Sequence, residues 1–300
     1  MNVAADYRCG FVAVIGRPNV GKSTLINAVM GRKVSIVTAK PQTTRHRILA
    51  VHTTNQQQIV FVDTPGLHRK AGRAMNRIMN RTAASALADA DLVLFVSDAT
   101  RWTDEDDDVI KRLKNCHSTV IALLNKVDKV RPKAKLLEGI ASLSARLDFA
   151  EIVPISALKN DNLDHLMKMI PAFLPKSPPL FPADMHTDRS EEFHIAEIVR
   201  EKLTLMLHQE LPYGLTVMVE RLVREKSGMA INAIIWVERD SQKGMVVGKN
   251  GNVLKKVGRA ARLEISEQHG QPVHLELWVK VKSNWADNEQ DLMNLGYDTP

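Results

Sequence analysis

Short, nearly continuous apolar runs punctuate the first half of the chain: Phe11–Ile15, Ile59–Val62, Leu92–Val96, Val120–Leu124 and Ile152–Pro154. Each has the length of a strand, and the stretches between them have room for helices. Strands that are apolar at every position, and not only at alternate ones, fit a sheet covered on both faces. Residues 8–175 therefore read as an α/β unit with a doubly wound, mostly parallel sheet.

The pattern breaks at residues 171–182, where five prolines fall within twelve residues and no helix can continue. Residues 176–189 read as a stiff linker. Beyond it the order changes. Ser190 can cap a helix that places Ile195, Val199, Leu203 and Met206 on one face. Strands near Thr216–Val223 and Ala230–Val237 follow, then a glycine turn, a helix from about Asn252 to His269, and a strand Val273–Val281. The order α-β-β-α-α-β over residues 190–285 describes a second, small α+β domain, and residues 286–300 read as a tail.

A length of 300 residues suits two domains, and 44% hydrophobic with 25% charged residues describes a folded chain. Cys9 and Cys116 are the only cysteines, too few for a disulfide framework, so a reducing cytosol is expected. No secretory signal and no apolar stretch of spanning length is seen. The net charge of +7 points to polyanionic partners, and its distribution refines this. Residues 1–175 hold 25 Lys and Arg against 16 Asp and Glu, and residues 176–300 hold 16 against 18. Within the second part, residues 239–262 carry seven basic residues and one acid, Asp240, so a polyanion site there is local.

Gly16-Arg17-Pro18-Asn19-Val20-Gly21-Lys22-Ser23 lies between the first strand and a helix. Glycines in that place let backbone N–H groups reach phosphate oxygens, and the helix N-terminus adds a favourable dipole. Lys22 would neutralise the β- and γ-phosphates and Ser23 would ligate Mg²⁺. Asp63-Thr64-Pro65-Gly66 follows the second run. Asp63 can hold Mg²⁺ through its water shell, and the Gly66 N–H can meet the γ-phosphate. Asn125-Lys126-Val127-Asp128 follows the fourth run. Asp128 can accept hydrogen bonds from N1–H and the 2-amino group of guanine, donors that adenine lacks. Asn125 would brace the loop and the Lys126 stem would cover the ring. Ser156-Ala157 fits a backbone contact to the guanine oxygen. All four segments stand at carboxyl ends of strands, where open α/β sheets bind ligands.

In the second domain, Gly248-Lys249-Asn250-Gly251 precedes a helix with a buried stripe (Leu254, Val257, Ala261, Ile265) and a basic face (Lys255, Lys256, Arg259, Arg262). A GxxG loop in this element order resembles a type-II KH domain, in which the loop clamps the backbone of about four nucleotides. Single-stranded RNA is the expected ligand. Asp104–Asp108 reads as a solvated helix start. The basic stretch Arg69, Lys70, Arg73, Arg77 and Arg81 reads as surface able to meet rRNA or lipid headgroups, and Met75, Met79, Met167 and Met169 as packing residues.

Taken together, the three nucleotide motifs, Gln42-Thr43-Thr44-Arg45-His46, Arg101-Trp102-Thr103 and the stretch His274–Lys282 resemble the Era family of bacterial GTPases over nearly the whole chain. The resemblance implies that Gln42–His46 is the first switch loop, with Thr44 sensing the γ-phosphate and Mg²⁺. It implies that Asn19 matches an asparagine that helps hold K⁺ beside the phosphates in related GTPases. Leu67 stands where Ras-like enzymes keep a water-orienting glutamine, so slow intrinsic hydrolysis, stimulated by potassium, is expected. The catalytic set would be Lys22, Thr44, Gly66 and Asn19. Implied partners are GTP and GDP, the 3′ end of 16S rRNA and the 30S subunit during its maturation. The implied setting is cytosolic, with peripheral association at the inner face of the membrane and no obligate oligomer. GTP would bias the linker geometry and with it the exposure of the RNA groove. Two other classes stay open on the residues alone: a signalling GTPase whose second module binds protein or membrane, and an RNA chaperone with an idle nucleotide site.

Overall fold

The computed structural model describes residues 6–40, 42–66, 73–207 and 214–297. The first part holds β1 (Arg8–Ile15), α1 (Lys22–Met30), β2 (Ile48–Thr53), β3 (Gln57–Asp63), α2 (Ala74–Ala88), β4 (Leu92–Asp98), α3 (Asp104–Leu113), β5 (Thr119–Asn125), α4 (Lys135–Ser144), β6 (Glu151–Pro154) and α5 (Leu163–Met169). Its six-stranded sheet has the order β2-β3-β1-β4-β5-β6, and β2 alone runs antiparallel to its neighbour. The apolar runs supply both faces. Val12, Val14, Leu94 and Leu123 share a core with Leu25 and Ile26 of α1 and Leu166 of α5. Ala13, Ile15, Phe95 and Leu124 pack with Val109 and Leu113 of α3 and Leu143 of α4.

The proline-rich segment crosses the β2 side of the sheet. At Leu180 and Phe181 its backbone polar groups are met by a single buried side chain. Gln58 Oε1 accepts from the N–H groups of Leu180 (2.8 Å) and Phe181 (2.9 Å), and its Nε2 donates to the Phe181 carbonyl (2.8 Å). Further on, the Val51 N–H donates to the His186 carbonyl (2.9 Å) and the Leu49 N–H to Asp188 Oδ1 (2.9 Å). These bonds occupy an edge strand that would otherwise expose unpaired groups.

The second part holds α6 (Glu191–Met206), β7 (Leu215–Glu225), β8 (Gly228–Val237), α7 (Asp240–Val247), α8 (Asn252–His269) and β9 (Val273–Val281). The Ser190 hydroxyl accepts from the Phe193 N–H and caps α6. β7 pairs antiparallel with β8, and β8 parallel with β9. Ile195, Val199 and Leu203 of α6 and Val257, Ala261 and Ile265 of α8 cover one sheet face.

Residues 286–297 correct the expectation of a plain tail. After a single turn at Trp285–Asp287 comes α9 (Glu289–Asn294). Trp285, Ala286, Leu292 and Tyr297 are buried against Ala74, Met75, Ile78 and Met79 of α2. The C-terminal segment thus closes back onto the first domain through apolar contact.

Candidate functional site

The loop from β1 to α1 is shaped by Gly16, whose φ is 155° and where a Cβ would stand 2.3 Å from the Val96 carbonyl oxygen. Lys22 is buried, and its Nζ donates to the carbonyls of Gly16 (2.9 Å) and Arg17 (3.0 Å). Burial lowers the ammonium pKa to about 8, a shift that Asp63 opposes and Arg17 reinforces. A cation desolvated to this degree is suited to an incoming polyphosphate. Pro18, Asn19, Gly21, Ser23, Thr44 and Gly66 line the cleft around it. Val20 is wholly buried under the loop.

Hard oxygen donors converge beside Lys22. Ser23 Oγ lies 2.9 Å from Thr44 Oγ1 and donates to Asp63 Oδ2 (3.0 Å), and Thr44 Oγ1 donates to the same oxygen (3.4 Å). Asp63 is fully buried, which pushes its pKa up, and its Oδ1 makes no hydrogen bond. Two hydroxyls and a buried, half-satisfied carboxylate fit an octahedral Mg²⁺ that keeps waters and takes phosphate oxygens. Thr64 is turned inward, its hydroxyl donating to the Val14 carbonyl (3.0 Å), and Pro65 is buried beside it. Leu67 lies outside the described residues, as do Arg69 and Lys70.

The base end of the cleft is held by Asn125. Its Nδ2 donates to the Val20 carbonyl (2.8 Å), and its Oδ1 accepts from the N–H groups of Lys126 (2.8 Å) and Ala157 (3.0 Å). One side chain therefore ties three loops together. Lys126 has a left-handed φ of 69° and reaches the Asn19 carbonyl (2.7 Å) and Asp98 (2.6 Å). Val127 opens a short turn that presents Asp128, and the Ser156 hydroxyl donates to Asp128 Oδ1 (2.6 Å). Asn125, Lys126, Asp128, Ala157 and Leu158 line a cleft of about 370 Å³ continuous with Asn19 and Gly21. Asn19 itself has φ 63°, and its Nδ2 donates to the Ala39 carbonyl (2.8 Å).

Arg17 contributes its backbone to the phosphate loop, while its guanidinium is held elsewhere. Nε donates to Asp106 Oδ2 (2.9 Å) and Nη2 to the Arg101 carbonyl (3.2 Å). This corrects the reading of Asp104–Asp108 as wholly solvated, because Asp106 has no exposed surface. The available signal was the Thr103-x-x-Asp106 spacing, which forms a capping box at the start of α3. Asp106→Ala leaves the Arg17 cation without its buried partner, and a loss of about 3 kcal/mol in urea unfolding of the nucleotide-free protein is expected. A loss below about 1 kcal/mol would be that of an exposed pair and would dismiss the lock.

The GxxG loop joins α7 to α8. Gly248 has φ 70°, and a Cβ there would meet Val253 Cγ2 at 2.4 Å. Lys249 and Asn250 form a short turn that ends at Gly251, the N-cap of α8. Lys255, Lys256, Arg259 and Arg262 are exposed along α8, and none forms an ion pair with a described residue. The acid Glu264 of the same helix is paired instead with Lys33 of the first domain (2.5 Å) and with Lys202 of α6. The basic face of α8 is thus left uncompensated among the described residues.

Contacts between the domains are direct and do not rely on the linker. Arg45 Nη1 donates to the Leu215 carbonyl (2.7 Å), and the His46 ring stacks on Tyr297 with centroids 4.3 Å apart. From the basic stretch, Arg73 pairs with Glu238 (3.4 Å) and Arg81 with Glu289 (3.5 Å).

A phosphate loop, an oxygen-donor set suited to Mg²⁺ and an oriented carboxylate at the far end of the cleft on one mostly parallel sheet, followed by a GxxG helix on a three-stranded sheet, define a P-loop GTPase with a KH domain. Residues 11–126 match a family model described as a 50S ribosome-binding GTPase, and residues 210–286 match one for the KH domain. A crystal structure of Era in complex with MgGDPNP and nucleotides 1506–1542 of 16S ribosomal RNA is 39% identical, with a TM-score of 0.93. That match covers 97% of this chain and 99% of the other. A variant of Aquifex aeolicus Era bound to GDP·AlF4⁻ is 40% identical over the same shares, with a TM-score of 0.92. The chain belongs to the Era family of GTPases.

Proposed function

We propose that the protein is a GTP-hydrolysing switch that binds the 3′ end of 16S rRNA and acts in maturation of the small ribosomal subunit. The observation that carries this is the joining of the two sites in one chain. A GTP cleft and an uncompensated basic helix behind a GxxG loop occur in a molecule that matches, over 97% of its length, an Era bound to a GTP analogue and that RNA segment. On this reading Gly16–Ser23 cradle the phosphates, Lys22 neutralises them, and Ser23 and Thr44 hold Mg²⁺ with Asp63 behind its water shell. Mg²⁺ supplies charge neutralisation of the phosphates when bound. Gly66 meets the γ-phosphate, and Asn125, Lys126, Asp128, Ser156 and Ala157 take the guanine. Gly248–Gly251 and Lys255, Lys256, Arg259 and Arg262 hold the RNA backbone.

Intrinsic hydrolysis is slow, because Leu67 cannot orient water, and Asn19 helps place a K⁺ that raises the rate. Work on 30S precursors takes place in the cytosol. Association with the inner membrane face is peripheral, and no described helix is long and apolar enough to cross a membrane.

The test separates the two sites. Gly248→Asp with Gly251→Asp puts carboxylates where the RNA phosphates approach. Filter binding to an RNA of the 16S 3′ end should lose at least about a hundredfold in affinity, the effect of several lost phosphate contacts and new repulsion. Binding of a fluorescent GTP analogue should stay within about twofold of wild type. Unchanged RNA affinity in the doubly substituted protein refutes the proposed RNA site.

A further inference from the structure

Arg200 lies in the middle of α6, in the KH domain, yet only 2% of it is exposed. Its Nε donates to Glu197 Oε1 (2.6 Å) and its Nη2 to Glu197 Oε2 (2.6 Å), a two-pronged pairing that fixes the plane of the guanidinium. The same Nη2 donates to the backbone carbonyl of Thr43. The next residue is Thr44, whose hydroxyl lies against Ser23 and Asp63. A side chain of the second domain thus grips the peptide bond that carries a hydroxyl of the Mg²⁺ site.

Neighbouring residues of α6 hold the same loop further upstream. Glu201 Oε1 accepts from the Val37 N–H (3.0 Å), and Glu201 Oε2 pairs with Lys33 (2.6 Å). The Arg200 contact differs in kind, because it acts on the carbonyl joining Thr43 to Thr44 and fixes the orientation of that one peptide plane. In a planar trans peptide a carbonyl turned toward α6 sets the following N–H on the opposite side, and the Thr44 side chain that follows lines the phosphate cleft.

We infer that Arg200 is a positioning residue of the GTPase site: through the Thr43 carbonyl it holds Thr44 in the orientation that reads the γ-phosphate and Mg²⁺. The inference rests on the proposed role of Thr44. It predicts a selective effect. GDP has no γ-phosphate for Thr44 to sense, so Arg200 contributes to triphosphate binding and little to diphosphate binding. The charge-assisted bond that is lost corresponds to about a tenfold change in that preference.

The experiment measures affinities for GTPγS and GDP in Mg²⁺ by competition against a fluorescent nucleotide, with full-length protein. Arg200→Met removes all three bonds, to Glu197 and to the Thr43 carbonyl, and keeps an unbranched apolar stem. Arg200→Lys keeps a cation beside Glu197, protecting the fold, but its shorter reach and single nitrogen forfeit the planar two-pronged pairing with Glu197 that aims the donor at the Thr43 carbonyl. Both variants should lower the GTPγS-over-GDP ratio, by about tenfold for Met and severalfold for Lys, with GDP affinity held within about twofold. Thr44→Ala serves as the reference. If Thr44→Ala lowers the ratio and neither Arg200 variant does, the positioning role is wrong while the reading of Thr44 stands. If Thr44→Ala leaves the ratio unchanged, the reading of Thr44 fails and the inference with it. Should Arg200→Lys weaken GDP and GTPγS equally, Arg200 is a fold residue only, and the inference is overturned.

Discussion

Asp128→Asn should cut GTP affinity by a factor on the order of 10⁴ and transfer the preference to xanthosine triphosphate. The reason lies in which atoms face each other. Guanine offers N1–H and the 2-amino group to a carboxylate that has no proton to give. The Ser156 hydroxyl already donates to Asp128 Oδ1 (2.6 Å), so the carboxylate is oriented before any base arrives. Exchanging one oxygen for an amide N–H2 sets donor against donor at the 2-amino group. Xanthine carries a carbonyl there and accepts that N–H. The rest of the base site should survive, because Asn125 and not Asp128 ties the loops to Val20 and Ala157. Competition by GTP, XTP and ATP against a fluorescent diphosphate measures the change. An unaltered ratio of GTP to XTP would remove Asp128 from base recognition, and with it the claim that this carboxylate makes the cleft guanine-specific.

The parts of this molecule that could be read from sequence are those set by local pattern. Apolar runs marked β1, β3, β4, β5 and β6, because a strand buried on both faces has no polar alternation to disguise it. The motif residues fell at strand ends because chemistry of this type needs backbone N–H groups and a helix terminus at fixed spacing. β2 escaped. Its run Ile48–Val51 is short, follows the basic loop at Arg45–Arg47 and ends in polar residues, as suits an edge strand. The proline-rich segment was legible as a break, but not its anchorage, since nothing local says that Gln58 will satisfy Leu180 and Phe181. In the C-terminal stretch, Trp285, Leu292 and Tyr297 stand among acids and amides at no regular period, and their burial follows only from the groove beside α2. Helix α6 shows the limit most sharply. Periodicity assigns Ile195, Val199 and Leu203 to the core and leaves Glu197, Arg200 and Glu201 for solvent. Those three are nonetheless buried, because that face lies against a loop more than 150 residues earlier. Domain packing of this range leaves no trace in a window of one helix turn.

Replacing sodium by potassium at constant ionic strength should raise GTP hydrolysis by a factor on the order of 10³, the low end of what one well-placed cation contributes to phosphoryl transfer. The demand for such a charge comes from Leu67, which offers no group to orient the attacking water. The means comes from Asn19. Its exposed side chain stands at the phosphate cleft, and its Nδ2 is engaged by the Ala39 carbonyl (2.8 Å). That bond occupies the amide nitrogen and leaves Oδ1 as the atom that would face a cation. K⁺ takes oxygen ligands of this neutral kind and bears less hydration than Na⁺, so a response to potassium over sodium is what such a site would give. Asn19→Ala should then hydrolyse GTP at the same low rate in both salts, with GTP affinity in Mg²⁺ little changed. Asn19→Asp retains an oxygen and should keep most of the potassium response, although its tie to Ala39 is lost. Single-turnover rates separate these cases from slow product release. Equal wild-type rates in potassium and sodium would sink the proposal outright. A potassium response that persists in Asn19→Ala would place the cation on other ligands and leave Asn19 as a residue that shapes the loop.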